Sequence, residues 1–227
     1  MSVHGLKSFR SSRGNPLPAF WSECRICDLV KVLTLGILGS GKGSNCSAIL
    51  EKIRDAELPA EVRLVISDVA DAGILGVARK FGVPAATLPQ GQWRTKLEPE
   101  AEKELVRLLR GAGVELVVLA GFMRILKAPV LDAFPRRIIN VHPSLLPKYP
   151  GREAWVQALK AGEMFTGCTV HFVDSGVDTG EIIAQREVPV MPDDTAASLH
   201  GRIQHAEREL YPEVIGQLAA GIFAVDA

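Results

Sequence analysis

Apolar positions along the chain change period in a regular way. Val30-Lys-Val-Leu-Thr-Leu-Gly-Ile-Leu38 is almost continuously apolar and predicts a buried strand; Gly39-Ser-Gly-Lys-Gly-Ser44 reads as a glycine-rich turn, and residues 45–55 as a helix capped by Asn45. The alternation continues with a strand at 62–67, a helix at 73–81, a short strand at 85–88 and a helix at 99–110 closed by Gly111. Leu116-Val-Val-Leu-Ala120 is a fourth strand, apolar on both faces as a covered parallel strand must be. A loop at 121–127, a short helix at 129–134 and a strand at 138–141 follow, then a proline-rich segment at 142–151. Strands at 169–173 and 182–188 precede a helix over 195–218 with an apolar stripe at Leu199, Ile203, Leu210 and Val214. This order predicts an α/β fold: a doubly wound, mostly parallel sheet with helices on both faces, in one domain spanning 29–227.

Composition narrows the class. Of 227 residues, 47% are hydrophobic and 23% charged, which fits a globular chain and neither a disordered nor a membrane protein. Lys plus Arg and Asp plus Glu both number 26, so no global field favours nucleic acid or anionic lipid, and an anionic ligand must be held locally. Four scattered cysteines, Cys24, Cys27, Cys46 and Cys168, do not make a disulfide framework, and a cytoplasmic setting is expected. Cys24-x-x-Cys27 has zinc or redox spacing but no second ligand pair nearby, so it reads as two incidental thiols and no metal is expected. Residues 1–28 are rich in Ser, Arg, Gly and Pro, with no acidic residue before Glu23. They read as an N-terminal tail, compatible with a transit peptide, a disordered arm or a misassigned start.

The glycine-rich turn, Gly36-Ile-Leu-Gly-Ser-Gly41-Lys42, begins like a nucleoside-triphosphate P-loop, but the residue after the lysine must be Ser or Thr and is Gly43. A dinucleotide fingerprint also fails, since Gly39, Gly41 and Gly43 have the wrong spacing. What survives is a small anion site: backbone N–H groups and the positive end of the following helix, with Gly43, Ser44 and Asn45 expected to meet a phosphate.

The segment Asn140-Val-His142-Pro-Ser144 carries the clearest chemistry. Asn140 and His142 lie two apart on one strand, so both project from one face at its C-terminal end, where open α/β sheets place ligands. An amide donor beside an imidazole serves acyl transfer: one stabilises an oxyanion and the other moves a proton. Ser144 lacks a nucleophile-elbow context, so direct transfer is favoured over an acyl-enzyme. In Val173-Asp174-Ser-Gly-Val-Asp178-Thr-Gly180, a carboxylate near His142 would favour the imidazolium.

The chain resembles the phosphoribosylglycinamide (glycinamide ribonucleotide) formyltransferases of purine synthesis over residues 32–222. The likeness rests on Gly41-Lys-Gly-Ser-Asn45, Val118-Leu-Ala-Gly-Phe-Met-Arg-Ile-Leu126, Asn140-Val-His-Pro-Ser-Leu-Leu-Pro-Lys-Tyr-Pro-Gly151, Gly167-Cys-Thr-Val-His-Phe-Val173 and Asp178. The resemblance implies a Rossmann-like formyltransferase fold and transfer of a formyl group from the co-substrate 10-formyltetrahydrofolate to the amine of glycinamide ribonucleotide, without a metal. It implies that Asn140 and protonated His142 stabilise the oxyanion while Asp178 raises the imidazole pKa. Gly43, Ser44, Asn45, Gln204 and Glu207 would meet the ribonucleotide. Met123, Arg124, Ile125 and Leu126, with Asn140 and Asp174, Ser175, Gly176, Val177 and Asp178, would meet the folate. Arg94 or Lys96 would meet its glutamate tail. Monomer and homodimer both fit. Many family members carry histidines just after Tyr-Pro-Gly, whereas this chain has Arg152, Glu153 and Trp155. The alternatives are a formyltetrahydrofolate deformylase using the same three residues on water, a tRNA-directed formyltransferase, which would need a basic surface, and a noncatalytic nucleotide-binding module.

Overall fold

The computed structural model describes residues 31–222, apart from positions 90 and 94. The tail at 1–28, Cys24, Cys27 and Arg94 lie outside the described residues. Thirteen elements follow in order: β1 (Leu33–Leu38), α1 (Ser44–Arg54), β2 (Ala60–Ser67), α2 (Gly73–Lys80), β3 (Ala85–Thr87), α3 (Pro99–Gly111), β4 (Leu116–Leu119), α4 (Ala128–Ala133), β5 (Ile138–His142), α5 (Ala154–Lys160), β6 (Phe165–Phe172), β7 (Ile182–Pro189) and α6 (Ala196–Ala219). One seven-stranded sheet runs β3-β2-β1-β4-β5-β6-β7, parallel through β5 and antiparallel at β5–β6 and β6–β7. The predicted mostly parallel α/β sheet is therefore the observed one.

Alternation along each strand divides the core in two. Leu35, Ile37, Val118, Ile139 and Val141 face a cluster closed by α1, α2 and α6, whereas Leu38, Val117, Leu119 and Ile138 face one closed by α3 and α4. Asn140 and His142 share the parity of Ile138, which turns them toward the α3/α4 side at the strand's C-terminal end. The predicted stripe on α6, Leu199, Ile203, Leu210 and Val214, is wholly buried. Thr195 caps that helix in a reciprocal bond pair with Ser198. Pro212 is accommodated inside α6, and the adjacent Tyr211, fully buried, sets its hydroxyl 3.1 Å from the Leu119 carbonyl and 3.0 Å from that of Ile139. One phenol thus pins the last helix to the two strands that deliver the central loops.

Several boundaries differ from the sequence expectations. Asn45 does not cap α1: Gly43 does, at φ 83°, and Asn45 sits in the first turn with its amide donating to Glu207 at 2.9 Å. Only glycine fits there, since its φ is left-handed and a Cβ would come within 2.7 Å of the Ile74 backbone. Gly111 belongs to α3, and the left-handed closing residue is Gly113 at φ 68°. β6 begins at Phe165 rather than 169 because its pairing with β7 continues to Pro189. α5 is too short, at seven residues, to show a helical period, and its cap is Glu153 in a left-handed conformation rather than a side-chain capping residue.

Removing the Tyr211 hydroxyl takes away the one hydrogen that the two carbonyls share, so Tyr211→Phe is expected to lower unfolding free energy by about 1–3 kcal/mol; an unchanged denaturant midpoint would contradict this. A second expectation concerns Glu207, buried between α1 and α6, whose pKa burial pushes up to about 7 while Asn45 pulls the other way. The unfolded carboxyl ionises near 4.3, so between that pH and about 7 the folded state holds the extra proton and stability falls as pH rises. Glu207→Gln is free of that loss. Its melting temperature relative to the parent should therefore rise between pH 5 and pH 8, by the equivalent of roughly 3 kcal/mol at most; an equal difference at both pH values would refute it.

Candidate active site

The C-terminal ends of β4 and β5, the loops that follow them and the loop 173–181 surround a cleft of about 420 Å³. Asn140, His142, Asp178 and the predicted folate-side residues Met123, Arg124, Ile125, Leu126, Asp174, Gly176 and Val177 all line it; Ser175 does not. Gly43, Ser44, Asn45, Gln204 and Glu207 lie outside that lining, so the two sets of predicted contacts occupy separate places. A larger cavity of about 610 Å³, between residues 145–149 and the start of β6, holds none of these residues.

Asp178 is the hub. One carboxylate oxygen lies 3.2 Å from His142 Nδ1 and accepts the Gly151 N–H at 2.8 Å; the other lies 3.6 Å from His171 Nε2 and 3.5 Å from Asn140 Nδ2. Burial pushes its pKa up, but the His171 hydrogen bond, the His142 charge and the Gly151 N–H together outweigh that, and the carboxyl is held below its usual range. The loop that delivers it is organised by Asp174, which accepts from the Gly176 N–H at 3.0 Å and the Thr179 hydroxyl at 2.8 Å. Asp174 thus forms an Asx turn, while Asp178 itself stands at φ 55°, a strained setting that Asp tolerates better than most residues. Gly180 must be glycine, since a Cβ there would lie 1.8 Å from the Phe172 carbonyl.

The hydrogen bonds of His142 define its proton. Nε2 lies 2.8 Å from the Tyr149 carbonyl, which can only accept, so Nε2 carries hydrogen and Nδ1, facing Asp178, is the nitrogen that titrates. Burial pushes the imidazole pKa down; Asp178 and the Tyr149 carbonyl oppose this, His171 adds to it, and the balance stays below the ordinary value. Tyr149 reaches this place through a left-handed φ of 57°, in a turn where the Ser144 hydroxyl donates to the Lys148 carbonyl at 2.6 Å. Ser144 is fully buried and structural, in accord with the absence of a nucleophile elbow.

His171 is the residue that sequence reasoning missed. It sits opposite Asn140 in the antiparallel β5–β6 register, its Nδ1 donates to the Phe172 carbonyl at 2.7 Å, and its Nε2 lies 3.3 Å from Asn140 Nδ2. Nε2 lies between the Asn140 amide and the Asp178 carboxylate: bare, it accepts from Asn140; carrying hydrogen, it donates toward Asp178. The Gly167-Cys-Thr-Val-His segment contained the signal, but only the strand register reveals which residue it faces.

Other predicted contacts take different forms. Leu126 is buried in the α3/α4 core, whereas Met123 is 63% exposed on the cleft rim, so the four-residue run is part core and part surface. The Arg124 guanidinium is engaged by Asp68 and the Trp93 carbonyl. Lys96 rests 3.9 Å over the Trp93 ring and bridges backbone to Ile125, beside the same loop. Trp155 lines the cleft and stacks on His200 with centroids 3.7 Å apart; His200 Nε2 in turn lies 3.3 Å from the Gln204 amide. Cys46 and Cys168 are buried, with thiols that burial pushes up to about 12, and take no part. Among the described residues no helix is long and apolar enough to cross a membrane.

Comparison with known proteins agrees with this geometry. Residues 33–215 match the formyl transferase family. The chain is 46% identical over 191 residues to the trifunctional purine biosynthetic protein adenosine-3 of Drosophila pseudoobscura pseudoobscura, covering 82% of this chain but only 14% of that one. It is 38% identical over 182 residues to the phosphoribosylglycinamide formyltransferase of Bacillus subtilis, covering 80% of this chain and 92% of that one. The crystal structure of glycinamide ribonucleotide transformylase 1 from Symbiobacterium toebii superimposes with a TM-score of 0.81 at 44% identity, covering 86% and 92% of the two chains. A family match over most of the chain, on a sheet whose C-terminal edge gathers Asn140, His142 and Asp178, shows that this protein belongs to the formyl transferase family.

Proposed function

We propose that the protein transfers a formyl group from 10-formyltetrahydrofolate to the amine of glycinamide ribonucleotide, a step of purine biosynthesis. The observation that carries this reading is the convergence of Asn140, His142 and Asp178 on one cleft, in a chain that covers 92% of a relative named for that reaction. The amine nitrogen attacks the formyl carbon, whose C=O becomes a C–O⁻. The Asn140 amide, now in long contacts of 3.3 and 3.5 Å, is free to turn its N–H to that oxyanion. Both nitrogens of His142 are engaged, so its donation to the oxyanion exchanges one partner, and the 3.2 Å contact to Asp178 is the longer of the two. Asp178 then receives the proton shed by the attacking amine, through water. Collapse restores the C=O, breaks the bond from the formyl carbon to the folate nitrogen and returns a proton to that nitrogen.

The subsites follow the same reading. The folate lies against residues 123–126 and 174–178, with backbone groups serving where Leu126 is buried and the Arg124 side chain is engaged, and with Lys96 or Arg94 toward its glutamate tail. The ribonucleotide phosphate is held at Gly43, Ser44 and Asn45, where the first-turn N–H groups of α1 lack helical partners. The buried Asn45–Glu207 pair, in which Asn45 Oδ1 has no partner among the described residues, offers a polar contact for the ribose side, with Gln204 beside it. Residues 29–227 form the catalytic domain, acting in the cytoplasm as a monomer or homodimer.

Loss of an oxyanion donor or of the titrating group is expected to lower kcat by roughly a hundredfold or more in Asn140→Ala and His142→Ala, measured with both substrates saturating. Near-parental turnover in both variants would defeat the assignment, and cofactor turnover independent of the ribonucleotide would favour a hydrolase. Asp178→Asn removes a cause that raises the His142 pKa, so the alkaline limb of the pH–kcat profile should move to lower pH; a limb that stays in place would exclude that role.

A further inference from the structure

We infer that Asp68 is a positioning residue that fixes the folate-side loop against the glycine-rich turn, so that the two proposed substrate subsites are built as one unit; the inference rests on the reading of those subsites above. Asp68 stands one residue past β2, its side chain only 5% exposed. One carboxylate oxygen accepts the Ser40 hydroxyl at 2.5 Å, and the other accepts Arg124 Nε at 2.6 Å. A carboxylate only accepts, so Ser40 must donate to it and keeps its lone pairs for the Met123 N–H, which lies 2.9 Å from the Ser40 oxygen. Arg124 spends another donor on the Trp93 carbonyl, and the Ser40 N–H bonds the Gly121 carbonyl at 3.0 Å. One buried charge therefore ties together the loops that follow β1, β2, β3 and β4.

The position of Ser40 gives this network its functional meaning. It belongs to the turn between Gly39 and Gly43 that leads into the proposed phosphate site, while Met123 and Arg124 begin the run that faces the folate. Gly39 closes the same junction, since a Cβ there would lie 2.8 Å from the Ala120 carbonyl. Neither the Ser40 hydroxyl nor the Arg124 guanidinium is then a ligand contact in its own right. Both act through the backbone that they hold, and Asp68 acts through both.

The test uses the full chain and the variants Asp68→Ala, Asp68→Asn, Ser40→Ala and the Ser40→Ala/Asp68→Ala pair. Amide exchange at Met123, followed without ligand, should accelerate roughly tenfold or more in Ser40→Ala, which removes the acceptor of that N–H, and in Asp68→Ala, which leaves the acceptor and its loop unheld. Calorimetric binding of 10-formyl-5,8-dideazafolate should weaken about tenfold in Asp68→Ala, with the pair no weaker than Asp68→Ala to within about twofold, as expected of residues in one network. Asp68→Asn, which keeps an acceptor for Arg124 and a partner for Ser40, should recover most of both readouts; it and Ser40→Ala decide the matter where Asp68→Ala fails to fold. Unaltered Met123 exchange in Ser40→Ala, or additive losses in the pair, would overturn the inference. Absence of analogue binding by the parent would instead overturn the folate reading, with Met123 exchange still deciding the role of Asp68.

Discussion

A carboxylate largely withdrawn from water must find partners, and at Asp178, its side chain 13% exposed, that requirement organises the centre of the molecule. A charge so withdrawn from water, without hydrogen bonds, opposes folding, and two imidazoles, an amide and a backbone N–H converge on it. Those four partners come from three segments: Asn140 and His142 from β5, His171 from β6, Gly151 from the turn before α5. The sheet order explains why they meet. Chain reversal at β5–β6 sets His171 opposite Asn140, and the 173–181 crossing to β7 then folds the Asp178 loop back over the strand ends. A mixed sheet is thus the means by which three distant segments share one charge.

The same edge shows how little of the proposed site needs to be made of dedicated side chains. The glycine-rich turn contributes conformations rather than contacts: Gly43 takes a left-handed φ hard against Ile74, and Gly39 passes close to the Ala120 carbonyl. Polar side chains nearby hold backbone in place, as Asp174 does for its own loop and Ser144 for the turn that carries Tyr149. Electrostatic stabilisation of a developing oxyanion depends on donors already fixed before reaction, and most hydrogen bonds around the cleft serve that fixing.

The fold was legible because its signals are local. Continuous apolar runs marked the strands covered on both faces, and the stripe on α6 marked its buried side, so the succession of strands and the mostly parallel sheet could be read directly. Asn140 and His142 were legible for the same reason, since two-residue spacing on a strand fixes a shared face. What escaped depends on partners distant in sequence. His171 matters only through the β5–β6 register, Arg124 changes meaning once Asp68 lies beside it, and Asn45 is a pair with Glu207 rather than a cap once α1 and α6 pack. α5 escaped because seven residues carry too little period.

The division of the His142 ring between Tyr149 and Asp178 can be observed without substrate. Nitrogen-15 NMR of histidine-labelled protein across a pH titration reads the protonation of each ring nitrogen separately. The hydrogen bonds require that Nε2 stay protonated throughout and that Nδ1 alone titrate, at a pH below that of an ordinary histidine. A neutral His142 with its proton on Nδ1, or a ring that titrates as a free histidine does, would contradict the arrangement from which the proposed acyl-transfer chemistry follows.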